Sequence, residues 1–281
     1  MTPNPLTEAE YRAHPAISYS DLTAMLRCEA AWLSDRRLRV TDPAAWRMRR
    51  EANTTPAMRL GRLFEATVGF DEAGIKACMS DPAIYTKGSA NVAPRIRAEY
   101  AILDAMIATW NRQTQWPKLG QCDMQRQWFA VLDGVEIRGM SDLWFPATAV
   151  MEDIKTAADF DDEWADAHRH PWLDIPRGRG PLPWWVASYY DLQAAMYMTL
   201  ARLNDVVGAS YYIRAVTKQA VPDVVWLDVT THPAVLAAMD YLPRLVTRAA
   251  ALIAGADSAS PCGGCEYCRA RKVYIAPWRP A

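Results

Sequence analysis

The stretch from Gln125 to Lys155 limits the fold more than any other part of this chain, because there the hydrophobic period switches from helical to strand-like. Before it, Leu22, Met25, Leu26, Ala30 and Leu33 recur at helical spacing behind a Ser18-Tyr-Ser20-Asp21 capping signal. Further helices are expected over about 57–68 and 94–110. Residues 127–132 and 135–138 then flank Asp133-Gly134, a pair suited to the left-handed conformations of a two-residue hairpin turn. Residues 141–145 and 149–154 read as two more strands, and residues 157–184 resist assignment. One long helix is expected over 185–203, strands over 210–216 and 224–229, and a last helix over 233–254. Helices, then strands, a helix and more strands describe an α/β domain of non-alternating order.

The last strand of that stretch carries the chemistry. Period-two geometry puts Asp153 and Lys155 on one face and turns Ile154 into the core on the other. Glu152 shares the Ile154 face and is not counted as a ligand. If the two strands pair, Asp142 approaches Asp153, and two carboxylates offer the oxygen ligands that a hard divalent cation prefers. A nearby lysine can position or help to deprotonate a water and stabilise developing negative charge, as phosphodiester hydrolysis requires. Asp-x-Lys alone is short and common. The following helix adds weight, since Gln193 and Tyr197 lie four apart on one face with polar tips suited to a phosphate or a water, while Met196 is expected in the core.

Six cysteines are present, three of them within Cys262-Gly-Gly-Cys265-Glu-Tyr-Cys268. Three thiolates at that spacing want a fourth ligand, and both zinc and an iron–sulfur cluster fit three local thiolates with one remote. Cys28, Cys78 and Cys122 are the candidates for the fourth. Lys+Arg 31 against Asp+Glu 32 gives a net charge of −1, which excludes a histone-like protein whose binding rests on bulk positive charge. It does not exclude a groove of concentrated charge. Twelve tryptophans are present, and between Trp164 and Trp185 they interleave with arginines. There Trp172, Arg169, Arg177 and Arg179 are candidate DNA contacts, by stacking on bases and pairing with phosphates. Arg36, Arg37, Arg39, Arg47, Arg49 and Arg50 form a second basic stretch. Residues 1–10 have no apolar core of a signal peptide and no apolar run is long enough to span a bilayer, so the expectation is a cytoplasmic protein that does not engage a membrane.

Taken together, Gly139-x-x-Asp142, Asp153-Ile-Lys155-Thr156 and Tyr190-x-x-Gln193-Ala-Ala-Met-Tyr197 resemble the PD-(D/E)xK nuclease superfamily, and within it the RecE branch of exonuclease VIII-like phage recombination exonucleases. Ile17-Ser18-Tyr-Ser20-x-Leu22 and Leu60-Gly61-Arg-Leu-Phe64 are similar to that branch too, so the likeness runs from about residue 17 to about residue 230. The resemblance implies a restriction-endonuclease-like core, a central mixed sheet flanked by helices. It implies Asp142 and Asp153 as Mg²⁺ (or Mn²⁺) ligands, Lys155 as the catalytic lysine, and Gln193 and Tyr197 as the motif that follows. Where the family usually has a metal-binding histidine, four residues after the glycine of its first motif, this chain has Glu65, a carboxylate equally suited to magnesium.

The single domain implied over residues 1–281 has a helical part (1–120), a catalytic core (121–230) and a C-terminal helix with the cysteines (231–281). The implied activity is 5′–3′ degradation of duplex DNA ends, with a single-strand annealing protein as partner and a homo-oligomer as assembly. Superfamily relatives with an iron–sulfur cluster, the AddB-type helicase–nucleases and the CRISPR adaptation nucleases, resemble this chain in one early and three late cysteines. That likeness implies Cys28 with Cys262, Cys265 and Cys268 around a [4Fe–4S] cluster, with Zn²⁺ as the alternative. Cys78 and Cys122 are then expected to pack as small apolar residues. Two other readings are a nuclease acting on single strands in repair or CRISPR adaptation, and a non-catalytic module that binds DNA ends.

Overall fold

The computed structural model describes residues 6–69, 72–86, 95–113, 122–166, 169–174 and 179–271. The first part is helical: α1 (Glu8–Ala13), the two-residue strand β1 (Ile17–Ser18), then α2 (Tyr19–Arg27), α3 (Glu29–Thr41), α4 (Pro43–Ala52), α5 (Pro56–Val68), α6 (Glu72–Ser80) and α7 (Leu103–Gln113). Strands β2 (Asp123–Leu132), β3 (Val135–Phe145) and β4 (Val150–Ala157) follow, then a separate ribbon of β5 (Glu163–Asp166) and β6 (Arg179–Leu182). The chain continues through α8 (Trp184–Ala187), α9 (Tyr190–Leu203), β7 (Ser210–Thr217), β8 (Val224–Asp228), α10 (Pro233–Ala254) and α11 (Glu266–Arg269).

The expected hairpin is present, with Asp133 and Gly134 both at positive φ, 49° and 80°, as its turn demands. Its second arm does not stop at residue 138 but runs unbroken to Phe145, so the separate strand expected over 141–145 is part of β3. Two expected helices are each divided. The first breaks at Cys28, whose extended backbone (φ −170°, ψ 107°) ends α2 and starts α3. The expected 185–203 helix breaks at Tyr189, in the left-handed region at φ 67° with its ring stacked 4.4 Å from that of His170. The helix expected from residue 94 starts at Leu103, after one 3-10 turn, Ala98–Tyr100. No glycine or proline marks either break, so periodicity alone passes straight over both.

Strand β3 is the hub of the mixed sheet. On one edge it pairs antiparallel with β2 along nearly its whole length. Its other edge is shared: β1 pairs in parallel at Ile137 and Arg138, and β4 pairs antiparallel at Leu143–Phe145. Residues 139–142 lie in the gap between them. Beyond β4 the order continues with β7, parallel, and β8, antiparallel. Apolar cores cover both faces, one formed with α2, α9 and α10, the other with α5 and α7. Glycine matters in the gap: a Cβ on Gly139 would meet Tyr197 and Leu200 of α9 at 2.6–2.9 Å, so only glycine lets α9 lie this close to β3.

Candidate functional site

The gap in β3 pairing is where the carboxylates gather. Ladder pairing of β3 with β4 ends at Leu143 and Glu152, so the next two residues, Asp142 and Asp153, stand at the fork where the strands part. Asp142 Oδ2 accepts the main-chain N–H of Ile154 at 2.7 Å, a side chain standing in for the lost ladder bond. Asp153 is buried, 1% exposed. Its Oδ1 accepts from Gln193 Nε2 at 2.8 Å, and its Oδ2 pairs with Lys155 Nζ. Ile154 turns into the core under α5 and α7. Glu152 also faces away and pairs with Arg214 Nη2 at 2.7 Å. Glu65 reaches in from α5, its carboxyl hydrogen-bonded to that of Asp142.

Three carboxylates and one ammonium therefore meet at the end of the sheet, and their titration records the crowding. Burial and the facing charges of Asp153 and Glu65 hold the Asp142 pKa well above the ordinary carboxylate range. Burial raises that of Glu65 as well, against the pull of Lys155 and with the push of Asp153. For Lys155 burial acts downward, but Asp153, Tyr190 and Asp142 outweigh it and keep the ammonium charged well past the usual lysine range. Oxygen donors crowded until they hold protons are what a hard divalent cation would relieve. Glu65, Asp142 and Asp153 supply the oxygen donors such an ion takes, although their oxygens are not all drawn within 4.8 Å of one another as the cysteine sulfurs are.

Gln193 and Tyr197 share a face of α9 but do different things. Gln193 touches the cluster. Tyr197 does not present its hydroxyl to a phosphate or a water, because that hydroxyl donates to Met140 O at 3.0 Å and accepts from Met140 N at 3.2 Å. The orphaned edge of β3 claims it. Two residues not singled out from sequence also reach the site. Arg62, one helical turn before Glu65, and Lys218, after β7, line a cavity of about 360 Å³ with Lys155 and Glu65. The i, i+3 relation of Arg62 to Glu65 was the available signal; Lys218 had none.

In the basic aromatic segment Trp172 is half-buried against Tyr189 and Tyr241 and donates its indole N–H to Asp191 Oδ2 at 2.7 Å. That bond engages the ring edge. Arg169 is exposed, Arg177 lies outside the described residues, and of Arg179 only the backbone, in β6, is described.

Elsewhere the chain brings Cys28, Cys262, Cys265 and Cys268 together, their sulfurs all within 4.8 Å of one another. Cys28 Sγ lies 3.6 Å from Cys268 Sγ, and Cys262 Sγ 4.0 Å from Cys268 Sγ. The break between α2 and α3 aims Cys28 at this group. A second tie sits beside it: Arg248 of α10 binds Glu29 through two nitrogens at 2.8 Å each, and Glu29 Oε2 accepts Ser260 N at 2.8 Å. The Cys262 thiol is pulled down to about 6 by the main-chain N–H groups of Cys265 and Gly264, which favours the ligating thiolate. Cys78 and Cys122 are half-buried beside the α5/α7 core. No helix among the described residues is long and apolar enough to cross a membrane.

Comparison with known proteins bears on this arrangement. The family described as "PDDEXK-like domain of unknown function (DUF3799)" matches residues 18–271. A solved structure of a candidate exonuclease from Eubacterium rectale superposes with a TM-score of 0.74 over 98% of this chain and 96% of that one, at 19% identity. A second, of SSO0001, has a TM-score of 0.35 at 11% identity over 87% and 81% of the two chains, too distant to carry an argument. No curated protein matches the chain.

Proposed function

The chain belongs to the PDDEXK-like DUF3799 family, and from that premise we propose that it is a metal-dependent deoxyribonuclease acting as an exonuclease on DNA ends. The observation that carries the reading is the convergence of Glu65, Asp142, Asp153 and Lys155 at the fork between β3 and β4. A bound Mg²⁺ or Mn²⁺ would supply Lewis-acid stabilisation of the phosphodiester and make water acidic enough to attack near neutral pH. Glu65, Asp142 and Asp153 are the residues to hold it. Lys155 Nζ, fixed by Asp153, presents positive charge and a hydrogen-bond donor to the oxygens where negative charge develops. Gln193 orients Asp153. Tyr197 is a positioning residue that fixes the unpaired main chain at Met140 two residues before Asp142. Arg62 and Lys218 are placed to receive phosphate oxygens.

The finer reading, 5′–3′ resection of duplex ends for phage-type recombination by a homo-oligomer handing its strand to an annealing protein, rests on the RecE likeness of the motifs. The candidate exonuclease from Eubacterium rectale, similar in fold, supports the exonuclease part. Residues 1–281 are read as one nuclease unit, tied end to end through Cys28 and Glu29. Linear duplex, circular duplex and single-stranded DNA incubated with Mg²⁺ test the proposal. Linear duplex is expected to be degraded and circles spared, with Lys155→Ala losing about 10³-fold. Equal activity in that variant overturns the mechanism, and cleavage of circles overturns the exonuclease assignment.

The four cysteines are proposed as a structural metal site. The likeness to AddB-type enzymes favours a [4Fe–4S] cluster. The sulfur spacing favours Zn²⁺, since tetrahedral Zn–S bonds of about 2.3 Å put thiolates roughly 3.8 Å apart, whereas a four-iron body needs a wider cage. Anaerobic purification with absorbance spectra and metal analysis decides: a brown protein carries the cluster, and a colourless one with a single zinc removes it.

A further inference from the structure

The basic residues around α3 and α4 do not form a solvated surface remote from the site. A cavity of about 780 Å³ is lined by Arg39, Trp46, Arg50 and Arg62 together with Arg12 of α1. Arg12 and Arg62 also line the cavity that holds Glu65 and Asp142. Arg39, Trp46 and Arg50 line a third that reaches Gly139 and Met140 on β3. The three spaces have lining residues in common and lie side by side between the carboxylate fork and Trp46.

Arginines predominate among the charged residues of the Trp46 cavity, whose two carboxylates, Glu8 and Glu51, are paired with Arg12 and Arg59. Arg50 and Arg39 lie with their guanidinium carbons 5.0 and 5.9 Å from the Trp46 ring centre, and the indole is half-buried with its N–H on Asp35 Oδ2 at 3.0 Å. Arg12 is paired with Glu8. Among the described residues no carboxylate lies within ion-pair distance of Arg39, Arg50 or Arg62. Partial burial and the neighbouring Arg12 and Arg62 push the Arg50 pKa down, against the smaller opposing pull of Asp35. Guanidinium groups so placed bind phosphate oxygens, and an aromatic ring held among them is a stacking platform for an unpaired base. Inside a duplex the base faces are stacked on one another and not free to meet the ring, whereas a single strand offers them.

We propose that Arg12, Arg62, Arg39 and Arg50, with Trp46 as stacking platform, form a track for single-stranded DNA leading to or from the carboxylate fork. The proposal rests on the nuclease reading for its substrate class, and it names the strand form and the residues that read it. Binding is measured by fluorescence anisotropy in EDTA, where no cleavage is expected, with a labelled oligothymidylate of about 12 nucleotides and an abasic strand of the same length.

Trp46→Ala is expected to weaken oligothymidylate binding about 10-fold and to leave the abasic strand within about 2-fold, while Trp46→Phe retains most of the affinity. Arg50→Gln is expected to weaken both strands and to lower the slope of log affinity against log salt by about 0.7. Thermal melts near the wild-type value establish that each variant is folded. Wild-type affinity and slope in both Trp46→Ala and Arg50→Gln overturn the track, and equal losses on both strands in Trp46→Ala overturn the stacking. A wild-type protein that binds as expected but cleaves no DNA with Mg²⁺ leaves the track standing and removes the nuclease reading. The reverse result removes the track alone.

Discussion

The carboxylate fork and the thiolate group are both proposed as clusters of cation ligands, yet they are held in opposite ways. Asp142 and Asp153 sit on adjacent strands joined by a short turn, and α5 and α9 close over them with apolar cores on both faces of the sheet. The strands that carry them are fixed by packing and by ladder hydrogen bonds. The sulfurs come from the junction of α2 and α3 and from a segment more than 230 residues later, held nearby by Arg248, Glu29 and Ser260. Exposed polar contacts of that kind contribute little singly, so bound metal is expected to supply most of that closure. A ligand set built into a core serves chemistry and tolerates an empty state; one built from distant loops serves as a clasp.

The largest effect that would test this contrast is on activity. Asp142→Asn is expected to lower cleavage of linear DNA by about 10³-fold or more while the melting temperature holds or rises, because burial and the facing Asp153 and Glu65 disfavour a charge there. A collapse of the fold in that variant would mean that the fork needs its charges for structure. For the clasp the expectation reverses. Cys28→Ser should lose the bound metal, seen by elemental analysis, and melt about 5–10 °C lower; an unchanged melt would show that the polar tie suffices.

Smaller effects sharpen the picture. Gly139→Ala places a methyl against Tyr197 and Leu200 and is expected to cost about 1–3 kcal/mol, read by urea unfolding, with metal content at the cysteines unaltered. The fork should also respond to pH. Glu65 and Asp142 hold their protons more tightly folded than unfolded, so above their ordinary values of 4.5 and 3.8 the folded state binds more protons and metal-free protein loses stability as pH rises. Melts in EDTA should show that decline, and Asp142→Asn or added Mg²⁺ should flatten it. The smallest change, about 1 kcal/mol, is expected for Arg248→Met, measured as easier stripping of the clasp metal by a chelator.

Much of this was legible in the residues because it depends on local rules. Alternation along 149–155 put Asp153 and Lys155 together and sent Glu152 away, and the Asp133-Gly134 turn fixed the hairpin. Pairing of neighbouring strands then brought Asp142 in. The breaks at Cys28 and Tyr189 were not legible, since what bends the chain there is a sulfur turned toward the other thiols and a ring stacked on His170, contacts made across the fold. The partner of Trp172 was out of reach for the same reason: Asp191 meets its indole N–H only across the fold.

The sequence by itself determined which residues could do chemistry, because side-chain type and period-two geometry are properties of the chain. Only the tertiary structure decided which of them meet and what each hydroxyl, indole or guanidinium is free to do. Sharing one edge of β3 between β1 and β4 leaves the gap that Tyr197 fills and the fork where the carboxylates crowd. Folding α1, α3, α4 and α5 beside that gap brings arginines scattered in the sequence to the walls of neighbouring cavities. Those are consequences of long-range packing, in which a buried polar group takes whatever partner the fold brings to it.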